Sequence, residues 1–314
     1  MRITMIMTTI QKLAFFCAGV AVHHHFWGGT RVFSKKKKKK SSTTTEEERE
    51  EEVERVLKRS EKLAENKDAM AGETRVSCRK NDDDDDEEEE RYFPVHAENT
   101  ALVIIDMQRD FLEETGRLGK FYSKDILERL RETTANVAKV LEKCREKGMT
   151  IAHSRSHRYG ASIRRDLLLG VDVSGGKYSP IEGVDETYNF VDALKPKEGE
   201  IIVDKWTFGA FASTKLEKHL LDRGVERILL CGILTNVCVM ATAVQACDRF
   251  FRVCLVEDAC GAFGKEKKGG WHDKAVELIN GPQIAKQNHH KSCGLYFGEV
   301  ASVEAVVNAL DALK

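Results

Sequence analysis

This 314-residue chain carries almost no net charge, because 50 Lys and Arg offset 51 Asp and Glu. Such a balance argues against a protein that binds nucleic acid over its whole surface, which is normally basic. No run of about 20 uninterrupted apolar residues occurs, so a membrane span is not expected. The nine cysteines are odd in number and never spaced C-x-x-C. Most sit in apolar runs; Cys231, Cys254 and Cys260 lie in or beside strand-like segments. They read as reduced, buried, small hydrophobes of a reducing compartment. No G-x-G-x-x-G follows the first strand-like run and no Walker A occurs, so nucleotide binding has no motif support. The G-x-S-x-G elbow of serine hydrolases is missing too, and no internal repeat is visible.

What is present is unevenly distributed. Residues 1–45 hold no Asp or Glu, and Leu13–Val22 resembles a short signal-peptide core with Gly19-Val20-Ala21 as a small-x-small site. The same stretch fits an organelle transit peptide, so the compartment is left open between cytoplasmic and organelle-targeted. Residues 23–98 combine three histidines in a row, the Lys35–Lys40 run and the acidic stretches Glu46–Glu54 and Asp82–Glu90. Like charges repel and bury nothing, so residues 1–98 read as a targeting-like leader and a disordered, charged linker. A solitary charged helix is expected over Glu50–Asn66. Removing residues 1–95 is expected to leave a folded, active core.

From Asn99 the character changes. "ALVIID" is a continuous apolar run that suits a strand covered on both faces. Ile126/Leu127, Leu130, Val137, Val140/Leu141 and Cys144 then recur at helical spacing, between Ser123 as N-cap and Gly148 as stop. Further strands are expected at 149–154, 200–205, 227–233, 251–258 and 294–300. Between them fall a helix opened by a Thr214/Glu217 capping box and ended at Gly224, and others over Asn236–Arg249 and His272–Ile279. Ser302 caps a last helix that turns Val303, Val306, Val307, Leu310 and Leu313 inward. This alternation predicts a single doubly wound α/β domain over residues 99–314, a six-stranded parallel sheet with helices on both faces.

In such sheets function collects at the carboxyl ends of the strands. Asp106 ends the first strand, Lys205 the third, and Cys238 follows the fourth at the first turn of a helix. Their chemistry is complementary. A helix N-terminus favours a thiolate, Asp106 can take the thiol proton and pass it to a leaving amine, and Lys205 can hold Asp106 ionised. Backbone N–H groups in the turn before Cys238 can receive an oxyanion. Cys231 and Cys247 lack such partners and read as packing residues.

The segments "ALVIIDMQRDF", "DKWTFGAFASTKL" and "CGILTNVCV" resemble, in order and spacing, the signature segments of the isochorismatase-like cysteine hydrolases. That family includes nicotinamidases and carbamoylsarcosine, ureidoacrylate and biuret hydrolases. The resemblance implies an Asp106–Lys205–Cys238 triad and a thioester acyl-enzyme. It also implies a cis peptide between Ile233 and Leu234, with the Leu234 and Cys238 amides forming the oxyanion hole. Isochorismatases proper cleave a vinyl ether without a cysteine at this position, so Cys238 points to C–N hydrolysis. Nicotinamidases hold a metal through an acid-and-histidine cluster after the second strand. Here "IAHSRSHRYG" offers His153 and His157 but no Asp-x-His, so no metal or other cofactor is expected. "SRSHR" instead resembles a segment of biuret- and ureide-type members. Arg155 or Arg158 is a candidate for holding a polar end of the substrate, and Phe111, Trp206 and Phe208 for walling the pocket. Gln283–Ser292 reads as an inserted surface loop.

The expectation is therefore a metal-independent cysteine amidohydrolase of a small carboxamide or ureide, homo-oligomeric, with neither a nucleic-acid nor a membrane partner. A metal-assisted nicotinamidase of the same fold and a non-enzymatic binding module are the alternatives.

Overall fold

The computed structural model describes residues 54, 57–58, 74–79, 92–157, 186–263, 270–281 and 297–313. The apolar leader, the Lys35–Lys40 run, Arg158 and the Gln283–Ser292 loop lie outside the described residues. Of the helix expected over Glu50–Asn66, Glu54, Leu57 and Lys58 are described; they are helical, and Lys58 Nζ lies 2.7 Å from Glu54 Oε1.

Eight strands are seen among the described residues. β1 (Thr74–Ser77) and β2 (Tyr92–Val95) form an antiparallel pair. β3 (Thr100–Ile105), β4 (Thr150–Ser156), β5 (Ile201–Lys205), β6 (Arg227–Ile233), β7 (Arg252–Gly261) and β8 (Glu299–Ala301) form one sheet in the order β5-β4-β3-β6-β7-β8. All its neighbours are parallel. The six-stranded parallel α/β sheet expected from the alternation is thus what the chain forms. β3 and β6 are buried at every position, which is why they read as unbroken apolar runs. The edge strand β5 alternates instead, with Ile202 and Asp204 exposed.

The 23-residue helix Lys124–Glu146 buries Leu127, Leu130, Val137, Val140, Leu141 and Cys144. It packs on β7 and on the last helix, Val303–Ala312. Gly148, past its end, has φ +66°, a left-handed stop that glycine adopts without steric cost. Ser302 caps the last helix as expected, accepting from the Ala305 N–H at 3.1 Å.

Other details differ from the sequence reading. Ser123 precedes its helix but makes no side-chain cap bond. Thr214 Oγ1 accepts from the Leu216 N–H at 3.0 Å, but Glu217 does not close the box; its carboxylate takes Arg249 Nε at 2.9 Å. The segment after β6 opens as a π-helical turn, Thr235–Val239, before the α-helix Met240–Cys247. A short helix, Arg109–Leu112, follows β3, where none was foreseen.

The larger difference is at the N-terminal side. β1 and β2 fall within the stretch read as a charged linker, yet Val76, Phe93 and Val95 are fully buried. β1 packs against helix Val303–Ala312. The Arg79 N–H reaches the Val300 carbonyl at 2.7 Å, and Arg252 Nη2 the Tyr92 carbonyl at 2.8 Å. Local charge hid the pair, because each strand is only four residues long and flanked by polar chain.

Burying three such side chains contributes about 1.5–3 kcal/mol each. We therefore propose that the folded unit begins near Thr74 rather than at residue 99. Removing residues 1–72 is expected to leave the melting temperature unchanged within about 2 °C. Removing residues 1–95 should lower it by about 5 °C or more. Thermal unfolding followed by circular dichroism decides; equal melting of both truncations would show the hairpin to be dispensable.

Candidate active site

The strand order reverses its direction of growth between β3 and β6, and in open α/β sheets the crevice beyond the carboxyl ends at that point is where ligands bind. Asp106 leaves β3 at this point, with φ +55°. Beside it, Gly232 has φ +114°, and a Cβ there would lie 2.3 Å from the Ile105 carbonyl oxygen. Only glycine lets the two central strands run this close where they part.

Asp106 and Lys205 come together here. Lys205 Nζ lies 2.7 Å from Asp106 Oδ2, and the two residues are 0% and 1% exposed. Ser154, from β4, donates its hydroxyl to Asp106 Oδ1 at 2.7 Å. The Asp106 N–H is held by the Ser154 carbonyl at 3.1 Å. Lys205 also donates to the Thr207 carbonyl at 3.2 Å. That carbonyl belongs to a loop stapled by Ser213, whose hydroxyl takes the Trp206 and Thr207 N–H groups at 3.0 and 3.3 Å. Ser154 and Thr207 escaped the sequence reading. The Ser154 signal was available in principle, since period-2 alternation along β4 puts it on the Lys205 side of the sheet.

Cys238 is half-buried, in the π-helical turn, with its thiol within hydrogen-bonding reach of both Asp106 and Lys205. Burial and the Asp106 charge push the thiol up to about 12, with Lys205 pulling the other way. Loss of water and the Asp106 charge thus act against the thiolate that a helix N-terminus was expected to favour. Burial likewise raises Asp106, against Lys205, Ser154 and Cys238. Lys205 is raised despite its burial, by Asp106 and Cys238 together, and so stays cationic.

The peptide between Ile233 and Leu234 is cis, as the family resemblance implied. The Leu234 carbonyl is turned into the helical turn and accepts from the Val237 and Val239 N–H groups at 3.0 and 3.1 Å. Thr242 ties the turn's far end, donating to the Cys238 carbonyl at 2.7 Å.

The other candidate residues are not all brought to this place. Trp206 stacks on His157 with ring centroids 3.6 Å apart, directly beside Lys205. Phe208 is half exposed on the same loop, and Phe111 is half-buried against the core. Arg155 is elsewhere. It pairs with Asp204, not Lys205, in the strand register, so it projects from the opposite face of the sheet. There it forms a two-pronged ion pair with Asp204, at 2.7 and 2.9 Å. His153 also points away, donating through Nε2 to Glu200 at 2.9 Å, while Arg145 grips the same carboxylate at 2.7 and 3.0 Å. His153 and His157 thus have separate surroundings. Among the described residues no three His, Cys, Asp or Glu side chains converge as a metal site would require. Nor is any described helix long and apolar enough to cross a membrane.

Comparison with known proteins agrees with the fold. The family described as the isochorismatase domain matches residues 100–285. An uncharacterized isochorismatase family protein, YecD of Escherichia coli O157:H7, is 31% identical over 217 residues, covering 69% of this chain and 98% of its own. The ureidoacrylate amidohydrolase RutB of Serratia proteamaculans is 25% identical over 235 residues, 68% of this chain and 84% of that one. Among solved structures, a cysteine hydrolase from Pseudomonas syringae pv. phaseolicola superimposes with a TM-score of 0.54 at 25% identity, covering 70% of this chain and 96% of its own.

Breaking a buried ion pair from one side leaves a charge without compensation, at a cost of about 3–5 kcal/mol. Lys205→Met is expected to lose about that much unfolding free energy in urea. Adding Asp106→Asn to it should recover part of the loss. Additive losses in this double-mutant cycle would mean that the two groups do not interact.

Proposed function

This chain belongs to the isochorismatase family, and on that premise we propose that it is a cysteine amidohydrolase that cleaves a C–N bond of a small, planar carboxamide or ureide. The observation that carries the reading is the buried Asp106–Lys205 pair at 2.7 Å with the Cys238 thiol in reach of both. A family relative, RutB, bears the name of an amidohydrolase of a ureide.

In the proposed mechanism the substrate carbonyl carbon lies over Cys238 Sγ. Asp106 takes the thiol proton as the sulfur attacks, because a thiol held up near 12 supplies little thiolate at neutral pH. The carbonyl oxygen, now negative, is received by the Leu234 and Cys238 N–H groups. Asp106 returns the proton to the departing nitrogen, the C–N bond breaks, and ammonia or an amine leaves a thioester or thiocarbamate on Cys238. Asp106 then takes a proton from water as its oxygen attacks the acyl carbon, and passes that proton to the sulfur as the C–S bond breaks, so that the acid or carbamate leaves and the thiol is restored. Lys205 stays protonated throughout and steadies each state in which Asp106 or the sulfur is negative. Trp206 on its His157 stack, with Phe111 and Phe208, offers flat apolar walls. The ion pair of Arg155 with Asp204 on the other face argues for a substrate held by other groups.

Cys238→Ala should abolish turnover with little change in melting temperature. Asp106→Asn should remove most activity, because the three groups act as a unit. Substantial single-turnover rate in Cys238→Ala would end the covalent mechanism.

The pH dependence has a definite sign. Asp106 must be ionised to act as base, and burial raises it, so kcat/KM should rise with pH through a limb above the ordinary carboxylate value of 3.8. No further rise should appear around the ordinary thiol value of 9.0, because burial and the Asp106 charge push the Cys238 thiol up to about 12. A profile that climbs through that region would instead indicate a thiolate mechanism.

Substrate class is decided by ammonia release from ureidoacrylate, biuret, carbamoylsarcosine and nicotinamide at equal concentration, with isochorismate as the ether control. A ureide is expected to lead. A nicotinamide kcat/KM higher by about tenfold, or about 1.4 kcal/mol, would overturn the ureide assignment. Isochorismate turnover retained in Cys238→Ala would overturn the amidohydrolase reading. Chelation is expected to leave the rate unchanged; activity restored only by added metal would favour a metal-assisted nicotinamidase.

A further inference from the structure

We propose that His272 is a positioning residue for the nucleophile turn and acts through the Thr235 hydroxyl; the proposal rests on the amidohydrolase reading above. Thr235 Oγ1 and His272 Nδ1 are 2.9 Å apart.

The turn Thr235–Val239 has a demanding task in that mechanism. It must hold the Leu234 and Cys238 amides at one oxygen and the thiol at the neighbouring carbon. The Leu234 carbonyl gathers the Val237 and Val239 N–H groups, Thr242 of the following helix holds the Cys238 carbonyl, and Asp106 and Lys205 face the thiol. These bonds act on the turn's interior and its far end, not on the end that joins β6. Thr235 is the residue at that joint. It is fully buried and next in chain to Leu234. Its hydroxyl reaches outside the segment, to helix Trp271–Asn280.

That helix is a firm support. It buries Ala275, Val276 and Ile279, and packs on the turn and on β7 and β8. His272 is half-buried, and loss of water lowers its pKa although Asp273, Glu257 and Asp258 pull upward. It therefore meets the hydroxyl as a neutral imidazole. Without this bond Thr235 loses its tie to that helix, and Leu234, next to it in the chain, is held less firmly. Because the Leu234 carbonyl organises the rest of the turn, the Cys238 amide shifts as well. The sulfur is affected least, since Asp106 and Lys205 hold it from the other side.

This asymmetry supplies the test, because two probes of Cys238 respond differently. Benzaldehyde adds reversibly to the thiol, forming the S–C bond while the proton passes to the aldehyde oxygen, and so needs the oxyanion amides. Iodoacetamide alkylates the sulfur with loss of iodide and a proton and does not need them. The full-length protein and its His272→Ala, Thr235→Val, doubly substituted and His272→Asn variants are compared. Benzaldehyde affinity is read by titration, Cys238 alkylation by peptide mass spectrometry, and folding by circular dichroism.

His272→Ala and Thr235→Val are each expected to weaken benzaldehyde binding and lower kcat by about 10- to 100-fold, with KM little changed. Alkylation should stay within about twofold, since it makes no oxyanion. The double variant should be no worse than either single one. His272→Asn, whose amide can take the place of Nδ1, should restore most of the loss. Unchanged benzaldehyde binding in His272→Ala, or an equal fall in both probes, overturns the proposal alone. A wild-type protein whose Cys238 alkylates but neither binds benzaldehyde nor hydrolyses any amide overturns the amidohydrolase reading, and the proposal with it.

Discussion

A lysine ammonium and an aspartate carboxylate 2.7 Å apart and sealed from solvent govern the rest of this structure. Desolvating either ion costs several kcal/mol, and their attraction offsets this only when the remaining valences are also met. The Ser154 hydroxyl and the Thr207 carbonyl meet them. The consequence runs outward. Asp106, Ser154 and Lys205 come from three strands, so β3, β4 and β5 must be neighbours in one fixed register for the pair to be satisfied. The loop after β5 must also be rigid enough to present a carbonyl, which the Ser213 staple provides. It runs inward too: a thiol placed against this pair loses water and feels the carboxylate, and both push its pKa up.

Much of the fold could be read from the sequence because the central strands are buried on both faces. Burial along these strands leaves uninterrupted apolar runs, as in "ALVII" and "ILLCGI". The long helix was legible through its apolar stripe. Strand order was not, because it is set by pairings between segments far apart in the chain. β1 and β2 were hidden for another reason. Their apolar residues are too few to outweigh the charge around them, and only the surface formed by β7, β8 and the last helix gives them something to bury against. The π-helical turn has no local signature either; its bonds converge on the Leu234 carbonyl.

The site divides along the same line. That Asp106 and Lys205 come together was legible because each stands at or just beyond a strand end, where a charged residue closes an apolar run; Cys238, proposed as their partner, follows the next strand end. Arg155, named with Arg158 on the resemblance of "SRSHR" to ureide-type members, lies on the other face of β4 from Lys205. One step along a strand reverses the face, and the register opposite Asp204 sends the guanidinium away from Lys205. Ser154 and Thr207 matter through what they offer to another residue, which composition does not record. His272 sits in a different helix altogether, and nothing in its surroundings in the chain points to Thr235.

Gly232 has an implication for how this scaffold can change. It brings the backbones of β3 and β6 within a distance that no side chain tolerates, so the spacing at the crevice is set by main-chain atoms. The aromatic side chains beyond the strand ends are held differently: Phe111 lies in the short helix after β3, whereas Trp206 and Phe208 share with Thr207 the loop after β5 that presents a carbonyl to Lys205. Exchanging that loop would take away a partner of the buried lysine, so any redesign of this scaffold has to keep residues 205–207 and the Ser213 staple in place.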